Sequence, residues 1–380
     1  MSIRVLIIDD SALVRNLLKH ILQQDAQIQV VGTAADAYIA REKIKKLHPD
    51  VLTLDVEMPR MDGITFLGNL MRLHPLPVVM VSSLTQKGAE ATLRALELGA
   101  IDFVAKPGGD MSGSLESVAQ EIIDKIKIAA RANLRMAGHK HRVSPLSVEE
   151  KKTVDAIIPA GRKSPATISP PLIAIGASTG GTEAIRDVLV ELPDNMPPIV
   201  ITQHIPPGFS TAFAQRMNRL ARPRVHEAQD GQRIETGNVY IAPGAMHLLV
   251  ARDTQGYYCR LSDGPRVNRH KPSVDVLFRS VAQTAGKNAT GVILTGMGDD
   301  GAASLLEMRQ AGARTIAQDK ESSIVWGMPG AAVKIDAAEQ VLSLDKIPSA
   351  LVYMQASRGR PSRTLSALER LKTASAANIP

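Results

Sequence analysis

A short apolar run followed by a glycine-rich turn limits the folds that this chain can adopt. The run Leu172–Ala177 leads into Ser178-Thr179-Gly180-Gly181, and residues 182–192 have the apolar spacing of a helix. A strand, a sharp glycine turn and a helix in this order are typical of parallel α/β sheets and expose the Ser178 hydroxyl at the carboxyl end of the strand. The same residues would also suit a phosphate-binding turn or a turn with an incidental serine. The stretch therefore predicts an α/β fold with Ser178 as a candidate nucleophile.

Chain length and cysteine use indicate a two-domain protein of the cytoplasm. With 380 residues, two domains are expected. The single cysteine rules out an internal disulfide framework and fits a reducing compartment. This residue, Cys259, lies in an alternating strand-like run and is interpreted as a small apolar side chain rather than a nucleophile. The first residues lead straight into a strand and no apolar run reaches the ~18 residues of a membrane span, so we expect a cytoplasmic location without a signal peptide or membrane insertion.

The basic charge of the chain is concentrated in one segment. The formal net charge is +7, and residues 131–170 hold eight basic and three acidic residues. This segment is rich in Pro, Ser and Thr and lacks apolar periodicity, so it is predicted to be a flexible linker. A nucleic-acid-binding output domain is the alternative that a basic chain suggests. Because the sequence has no helix-turn-helix pattern, zinc-ligand spacing or stripe of basic and aromatic residues, no nucleic acid partner is expected.

In the first 125 residues, apolar runs alternate with helical segments, which predicts a doubly wound parallel sheet. Polar side chains follow these runs, and the carboxyl ends of parallel strands share one edge of the sheet. Clustered carboxylates repel one another unless a divalent cation lies among them, and hard oxygen ligands suit Mg²⁺. The polar residues predicted to meet at this edge are Asp9, Asp10, Asp55, Ser83 and Lys106.

These residues and their surroundings resemble the receiver domain of two-component response regulators. The likeness rests on the Asp9-Asp10 pair, on Leu54-Asp55-Val56-Glu57-Met58-Pro59 followed by Met61-Asp62-Gly63, and on Lys106-Pro107. It implies a flavodoxin-like fold and a phosphoryl group that passes from a histidine kinase to Asp55. It further implies roles for individual residues: Mg²⁺ binding by Asp9, Asp10 and Asp55, phosphoryl sensing by Ser83 and Lys106, and a switch aromatic at Phe103, which here lacks a hydroxyl.

In residues 171–355, three strand ends carry a candidate nucleophile, a base and an orienting acid. Ser178, His204 and Asp300 each follow an apolar run that is interpreted as a strand, so they are predicted to converge at one sheet edge. Their order in the chain differs from the Ser, Asp, His order of α/β-hydrolases, which argues against that class and against a general serine esterase. The alternatives that stay open are His226 and His247 as bases, and Asp299 or Asp300 as helix caps.

Four segments of this second domain are similar to the chemotaxis protein-glutamate methylesterases: residues 174–181, 203–209, 270–278 and 294–301. The resemblance implies a Rossmann-like fold and hydrolysis of glutamyl γ-methyl esters on the cytoplasmic domains of methylated chemoreceptors, together with deamidation of specific receptor glutamines. It implies no cofactor for the hydrolysis. The chain departs from the family pattern at Asp299, a position that is commonly Asn. By the same resemblance, the site residues are the catalytic Ser178, His204 and Asp300 and the oxyanion-binding N–H groups of Thr179 and Met297.

The resulting domain plan is a receiver at residues 1–125, a flexible basic linker at 126–170, a catalytic domain at 171–355 and a polar tail at 356–380. Alternating residues around a turn at 253–256 predict an antiparallel hairpin within the catalytic domain. We expect the receiver to cover the Ser178 edge when it is unphosphorylated, and Asp55 phosphorylation to shift the docked population towards an open one. The competing class is a response regulator whose output domain binds a partner without hydrolysing it.

Overall fold

Both domains of the computed structural model are α/β, and each is built on a parallel sheet, as predicted. The structure describes residues 2–83, 85–106, 115–136, 152–161 and 170–358. Pro107, residues 137–151 and 162–169 of the predicted linker, and the tail after residue 358 lie outside the described residues. No helix within the described ranges is long and apolar enough to cross a membrane.

The first domain is a five-stranded parallel sheet between two layers of helices. Its elements are β1 (Ile3–Ile8), α1 (Ala12–Gln23), β2 (Ile28–Ala34), α2 (Ala37–Leu47), β3 (Val51–Asp55), α3 (Gly63–Leu73), β4 (Val78–Ser82), α4 (Gln86–Glu97), β5 (Asp102–Ala105) and α5 (Leu115–Met136). The strand order β2-β1-β3-β4-β5 is the flavodoxin-like order that the resemblance implied. The inner strands are apolar on both faces because α1 and α5 cover one face and α2, α3 and α4 cover the other.

The second domain is a seven-stranded sheet with an attached hairpin. Its elements are β6 (Leu172–Ala177), α6 (Gly181–Glu191), β7 (Ile199–Gln203), α7 (Phe209–Leu220), β8 (Arg224–Glu227), β9 (Asn238–Ile241), β10 (His247–Asp253), β11 (Gly256–Ser262), α8 (Val274–Thr284), β12 (Ala289–Ile293), α9 (Ala302–Gln310), β13 (Arg314–Gln318), α10 (Met328–Lys334), β14 (Gln340–Leu342) and α11 (Ile347–Arg358). The sheet order is β14-β13-β12-β6-β7-β9-β8, all parallel, and β10 pairs with β11 as the predicted antiparallel hairpin. Because β6 lies between β12 and β7, the carboxyl ends of these three strands are neighbours.

Two parts of the segment predicted to be a flexible linker are structured. Helix α5 continues to Met136, past the predicted boundary at residue 125. Residues 152–161 pack against the second domain, where Val154 and Ile158 are buried in one cluster with Val267 and Val276. Arg279 in α8 fixes this segment, because its Nη1 donates to Asp155 Oδ1 at 2.6 Å and to the Ile158 carbonyl at 3.0 Å. Composition alone suggested a flexible chain here. The contacts that order the segment come from a helix far away in the sequence, so they leave no local pattern.

The two domains contact each other through β5 and α4 of the first and α7 of the second. Phe103 in β5 stacks on Phe209 at the start of α7, with ring centroids 4.6 Å apart. The buried Arg216 of α7 lies 2.5 Å from Glu97 of α4 and 2.9 Å from Glu183 of α6. Apolar residues of both domains belong to one buried cluster around these contacts. The first domain is therefore docked on the second by a stacked aromatic pair and a charge-assisted hydrogen bond.

Candidate active site and acidic site

Ser178, His204 and Asp300 meet at the carboxyl edge of the second sheet. His204 Nδ1 lies 3.1 Å from Ser178 Oγ, and His204 Nε2 lies 2.8 Å from Asp300 Oδ2. An ionised Asp300 can only accept a hydrogen bond, so Nε2 carries the imidazole proton and Nδ1 is left to accept the proton of Ser178. The arrangement is that of a nucleophile, a base and an acid that orients the base.

Asp300 is surrounded by hydrogen-bond donors. Its Oδ2 also accepts from the backbone N–H of Val274 at 2.7 Å, while Oδ1 accepts from Ser273 Oγ and Asn268 Nδ2, both at 2.8 Å. Val274 begins α8, so the positive end of that helix faces the carboxylate. Burial alone would raise the pKa of Asp300, but the hydrogen bond and charge of His204 outweigh it and hold that pKa well below its usual range. The carboxylate is thus kept ionised beside the imidazole.

Two backbone N–H groups near Ser178 donate no hydrogen bond within the described part of the chain. They belong to Thr179, which follows Ser178, and to Met297. Gly296 packs so closely that a Cβ at this position would lie 2.8 Å from Ser178 Cβ, which places the adjacent Met297 backbone beside the nucleophile. Gly180 completes the turn with φ of 76°, a conformation that glycine adopts readily. Both N–H groups could receive a carbonyl oxygen that is attacked by Ser178.

The competing bases have other hydrogen-bond partners. His226 is on the edge strand β8, away from the centre of the sheet, and its Nε2 lies 2.9 Å from Asn238 Oδ1. His247 is buried, and its Nε2 lies 2.9 Å from the Pro265 carbonyl oxygen. Asp299 is exposed, whereas the neighbouring Asp300 is buried against His204. Among the alternatives, the geometry therefore favours His204 and Asp300.

Asp9, Asp10 and Asp55 meet at the carboxyl edge of the first sheet, where they were expected. Each can offer one carboxylate oxygen within 4.8 Å of the others. Lys106 Nζ lies 2.7 Å from Asp55 Oδ2 and 3.3 Å from Asp9 Oδ2. Burial raises the pKa of Asp55 to about 6, although the hydrogen bond from Lys106 opposes the shift. The ammonium group thus partly offsets the charge of a carboxylate cluster.

This donor set fits Mg²⁺. The three side chains supply hard oxygen ligands, and the open edge of the sheet leaves room for water, which this ion retains. Asp9 Oδ2 is buried and has the Lys106 ammonium group 3.3 Å away, but it accepts no hydrogen bond within the described ranges, so it remains open to direct contact with a cation. Asp10 is exposed and can turn towards the same point.

The other two residues assigned to the switch face different surroundings. Ser83 is half-buried, and its Oγ lies 3.1 Å from Thr85 Oγ1. Phe103 faces the second domain, and Lys125 of α5 donates to its carbonyl oxygen at 2.6 Å and lies 5.2 Å from its ring centre. Phe103 therefore joins the first domain to the second through its stacking on Phe209.

The sequence did not reveal the residues that support the triad. The His270 ring stacks on the His204 ring with centroids 3.7 Å apart and planes 12° apart. Gln203 Nε2 donates to the Ser178 carbonyl oxygen at 2.8 Å, so it fixes the turn that carries the nucleophile. Asn268 donates to Asp300 from a loop without periodicity. Segments 203–209 and 270–278, which carried the resemblance, include Gln203 and His270 but gave neither residue a role.

The fold and both sites define a two-domain α/β protein that joins a receiver-type acidic site to a Ser–His–Asp site of the hydrolase type. The CheB methylesterase family model matches residues 173–351, and the response regulator receiver domain model matches residues 5–113. The chain belongs to the family of protein-glutamate methylesterases/protein-glutamine glutaminases. It is 56% identical to the member from Hydrogenovibrio crunogenus, over 93% of this chain and 99% of that protein.

A second relative belongs to the same family, and one solved structure is also similar to part of the chain. The protein-glutamate methylesterase/protein-glutamine glutaminase 1 of Xanthomonas euvesicatoria is 55% identical over 93% of this chain and 98% of its own length. Among solved structures, the CheB methylesterase catalytic domain of Thermotoga maritima is 36% identical, with a TM-score of 0.48, and the match covers 49% of this chain and 100% of that one.

Proposed function

We propose that this chain hydrolyses glutamyl γ-methyl esters on chemoreceptors and deamidates specific receptor glutamines, under the control of Asp55 phosphorylation. The observation that carries the proposal is the hydrogen-bonded array of Ser178, His204 and Asp300 in a chain whose relatives are named for both activities. One site can serve both reactions because a glutamyl methyl ester and glutamine share an acyl group and differ in the leaving group, which is methanol or ammonia.

In the proposed reaction, Ser178 Oγ attacks the γ-carbonyl carbon while His204 Nδ1 accepts its proton. The N–H groups of Thr179 and Met297 stabilise the negative charge that forms on the carbonyl oxygen. The bond to the methoxy group breaks, and methanol leaves with the proton from His204. Water then attacks the acyl group on Ser178, passes one proton to His204 and thence to Ser178 Oγ, and releases the glutamate side chain. These steps use protein groups and water alone.

Asp300 supports each proton transfer without itself losing charge. It holds His204 in the tautomer with the proton on Nε2, and it stabilises the imidazolium that exists between the two halves of the reaction. The donors around Asp300 prevent its rotation, since each oxygen already accepts at least two hydrogen bonds. The proposed acid is thus both charged and fixed.

Control is proposed to begin at the acidic site of the first domain. A histidine kinase supplies a phosphoryl group to Asp55, and Asp9, Asp10 and Asp55 hold Mg²⁺. When bound, Mg²⁺ offsets the negative charge of the phosphoryl group. Ser83 and Lys106 would respond to that group, and Phe103 links the site to Phe209, close in sequence to His204. We propose that the docked first domain restricts access to the Ser178 edge and that phosphorylation favours the undocked form.

The direct test uses membranes that carry methylated chemoreceptors. The full chain is expected to release methanol, and receptor peptides are expected to lose methyl groups and to gain glutamate in place of selected glutamines in mass spectra. A His204→Gln variant is the matched inactive control, and membranes with unmethylated receptors are the substrate control. If the folded wild-type protein leaves both methyl groups and glutamines intact, the proposal fails, and an output domain that only binds its partner becomes the better account.

A further inference from the structure

A second buried carboxylate, that of Asp275, lies beside the proposed catalytic acid. Asp275 is in the first turn of α8, where its Oδ1 accepts from the backbone N–H of Ser304 at 2.8 Å. Burial and the charge of Asp300 raise the pKa of Asp275 to about 7. Neighbouring buried carboxylates repel each other unless a hydrogen-bond donor lies between them. The reaction proposed above assigns no role to this second acid.

The side-chain amide of Asn268 is the donor between the two carboxylates. Its Nδ2 donates to Asp275 Oδ2 at 2.6 Å and to Asp300 Oδ1 at 2.8 Å, so both N–H bonds of the amide are used. Asn268 has φ of 49°, in the left-handed region that asparagine tolerates better than most residues. Its backbone N–H donates to the Lys152 carbonyl at 3.0 Å, which ties the loop to the packed segment 152–161.

We propose that Asn268 and Asp275 are positioning residues that hold the Asp300 carboxylate in the orientation that receives the Nε2–H of His204. Asp275 fixes one N–H of the Asn268 amide, and this leaves the other N–H aimed at Asp300 Oδ1. Oδ1 is thereby occupied, and Oδ2 is the oxygen that faces His204. The two residues act through Asp300 and touch no reacting atom. The inference rests on the proposed function in that Asp300 must serve as the acid of the triad.

The first test is Asn268→Gly. Glycine adopts the left-handed backbone without strain, so this variant removes the amide while the loop geometry is kept. We expect kcat for methanol release to fall by about 10- to 100-fold with KM nearly unchanged, by analogy with residues that orient the ligands of a metal ion. The matched control is Asp336→Gly, also at a left-handed position, with φ of 58° and an exposed side chain remote from the triad. It is expected to retain the wild-type rate.

The second test asks whether the effect passes through Asp300. In an Asp300→Ala background, Asn268→Gly is expected to cause no further loss, because residues that act as a unit are not additive. Asp275→Asn is the isosteric second variant, and its NH2 group would face either the Asn268 amide or the Ser304 backbone N–H, because both of these groups donate to Asp275. It is expected to lower kcat as Asn268→Gly does, and the double variant should be no worse than either single one.

The outcomes separate this inference from the proposed function. A wild-type protein that releases no methanol would contradict the proposed function itself. A wild-type protein that is active, with Asn268→Gly and Asp275→Asn both within about twofold of it, would overturn the inference alone. An equal fold-loss of kcat from Asn268→Gly in the wild-type and Asp300→Ala backgrounds would also overturn the inference, because a purely structural role of the loop predicts that result.

Discussion

Replacing Ser178 with alanine is expected to lower methanol release from methylated chemoreceptors by about 10⁴-fold or more. The alanine lacks the oxygen that attacks the ester, and within the described ranges His204 Nδ1 has no other hydroxyl or thiol at hydrogen-bond distance. Cys259, the single thiol in the chain, is buried in β11, and burial raises the pKa of that thiol to about 12. The residual rate would come from backbone donors and substrate binding, which remain in the variant.

The measurement is the initial rate of methanol release at equal protein concentration. Ser349→Ala is the matched control, because this exposed serine lies in α11 and its Oγ donates to the nearby Lys346 carbonyl oxygen at 2.9 Å. It should match wild type. If Ser178→Ala kept more than about a hundredth of the wild-type rate, the attack would have to come from another group or from activated water.

Asp300→Asn is expected to lower kcat by a factor on the order of 10⁴ with little change in KM. An amide at position 300 can donate to His204 Nε2, which favours the tautomer with the proton on Nδ1. That tautomer faces Ser178 with a donor and cannot accept the serine proton. The surroundings also disfavour an amide at position 300, because its NH2 group cannot accept a hydrogen bond. Three groups donate towards this carboxylate: Val274 N–H, Ser273 Oγ and Asn268 Nδ2.

The adjacent Asp299→Asn variant is the control for this prediction. Asp299 is exposed, so its replacement tests a loss of negative charge one residue away from the triad. We expect its kcat to remain within about twofold of wild type. Equal losses in the two variants would show that general charge, rather than the Asp300–His204 hydrogen bond, supports the reaction.

The meeting of the triad could be predicted from the sequence because parallel strands end at one edge. Ser178, His204 and Asp300 each follow an apolar run, and the sheet places those three runs side by side. The acidic site of the first domain followed from the same argument. The order of the strands could not be derived from the runs alone, and nor could the ring nitrogen that faces Ser178. Both depend on contacts between segments far apart in the chain.

The parts that were not predicted depend on tertiary contacts rather than on local pattern. Asn268 has no periodic neighbours, and its role arises only when Asp275 and Asp300 are brought together by α8 and the turn before α9. Segment 152–161 has the composition of a linker, yet its contacts with Arg279 order it on the catalytic half. Likewise, the stacking of Phe103 on Phe209 joins residues that no spacing rule would connect.

Phosphodonor-dependent methanol release by the full chain tests the central claim most directly. The rate is measured for wild type and for Asp55→Asn, each with Mg²⁺ and with or without a small-molecule phosphodonor. If the first domain covers the Ser178 edge until Asp55 is phosphorylated, the wild-type rate should rise roughly tenfold or more with the phosphodonor, while Asp55→Asn stays at its basal rate. A wild-type rate that ignores the phosphodonor, or an equal rise in Asp55→Asn, would contradict the account.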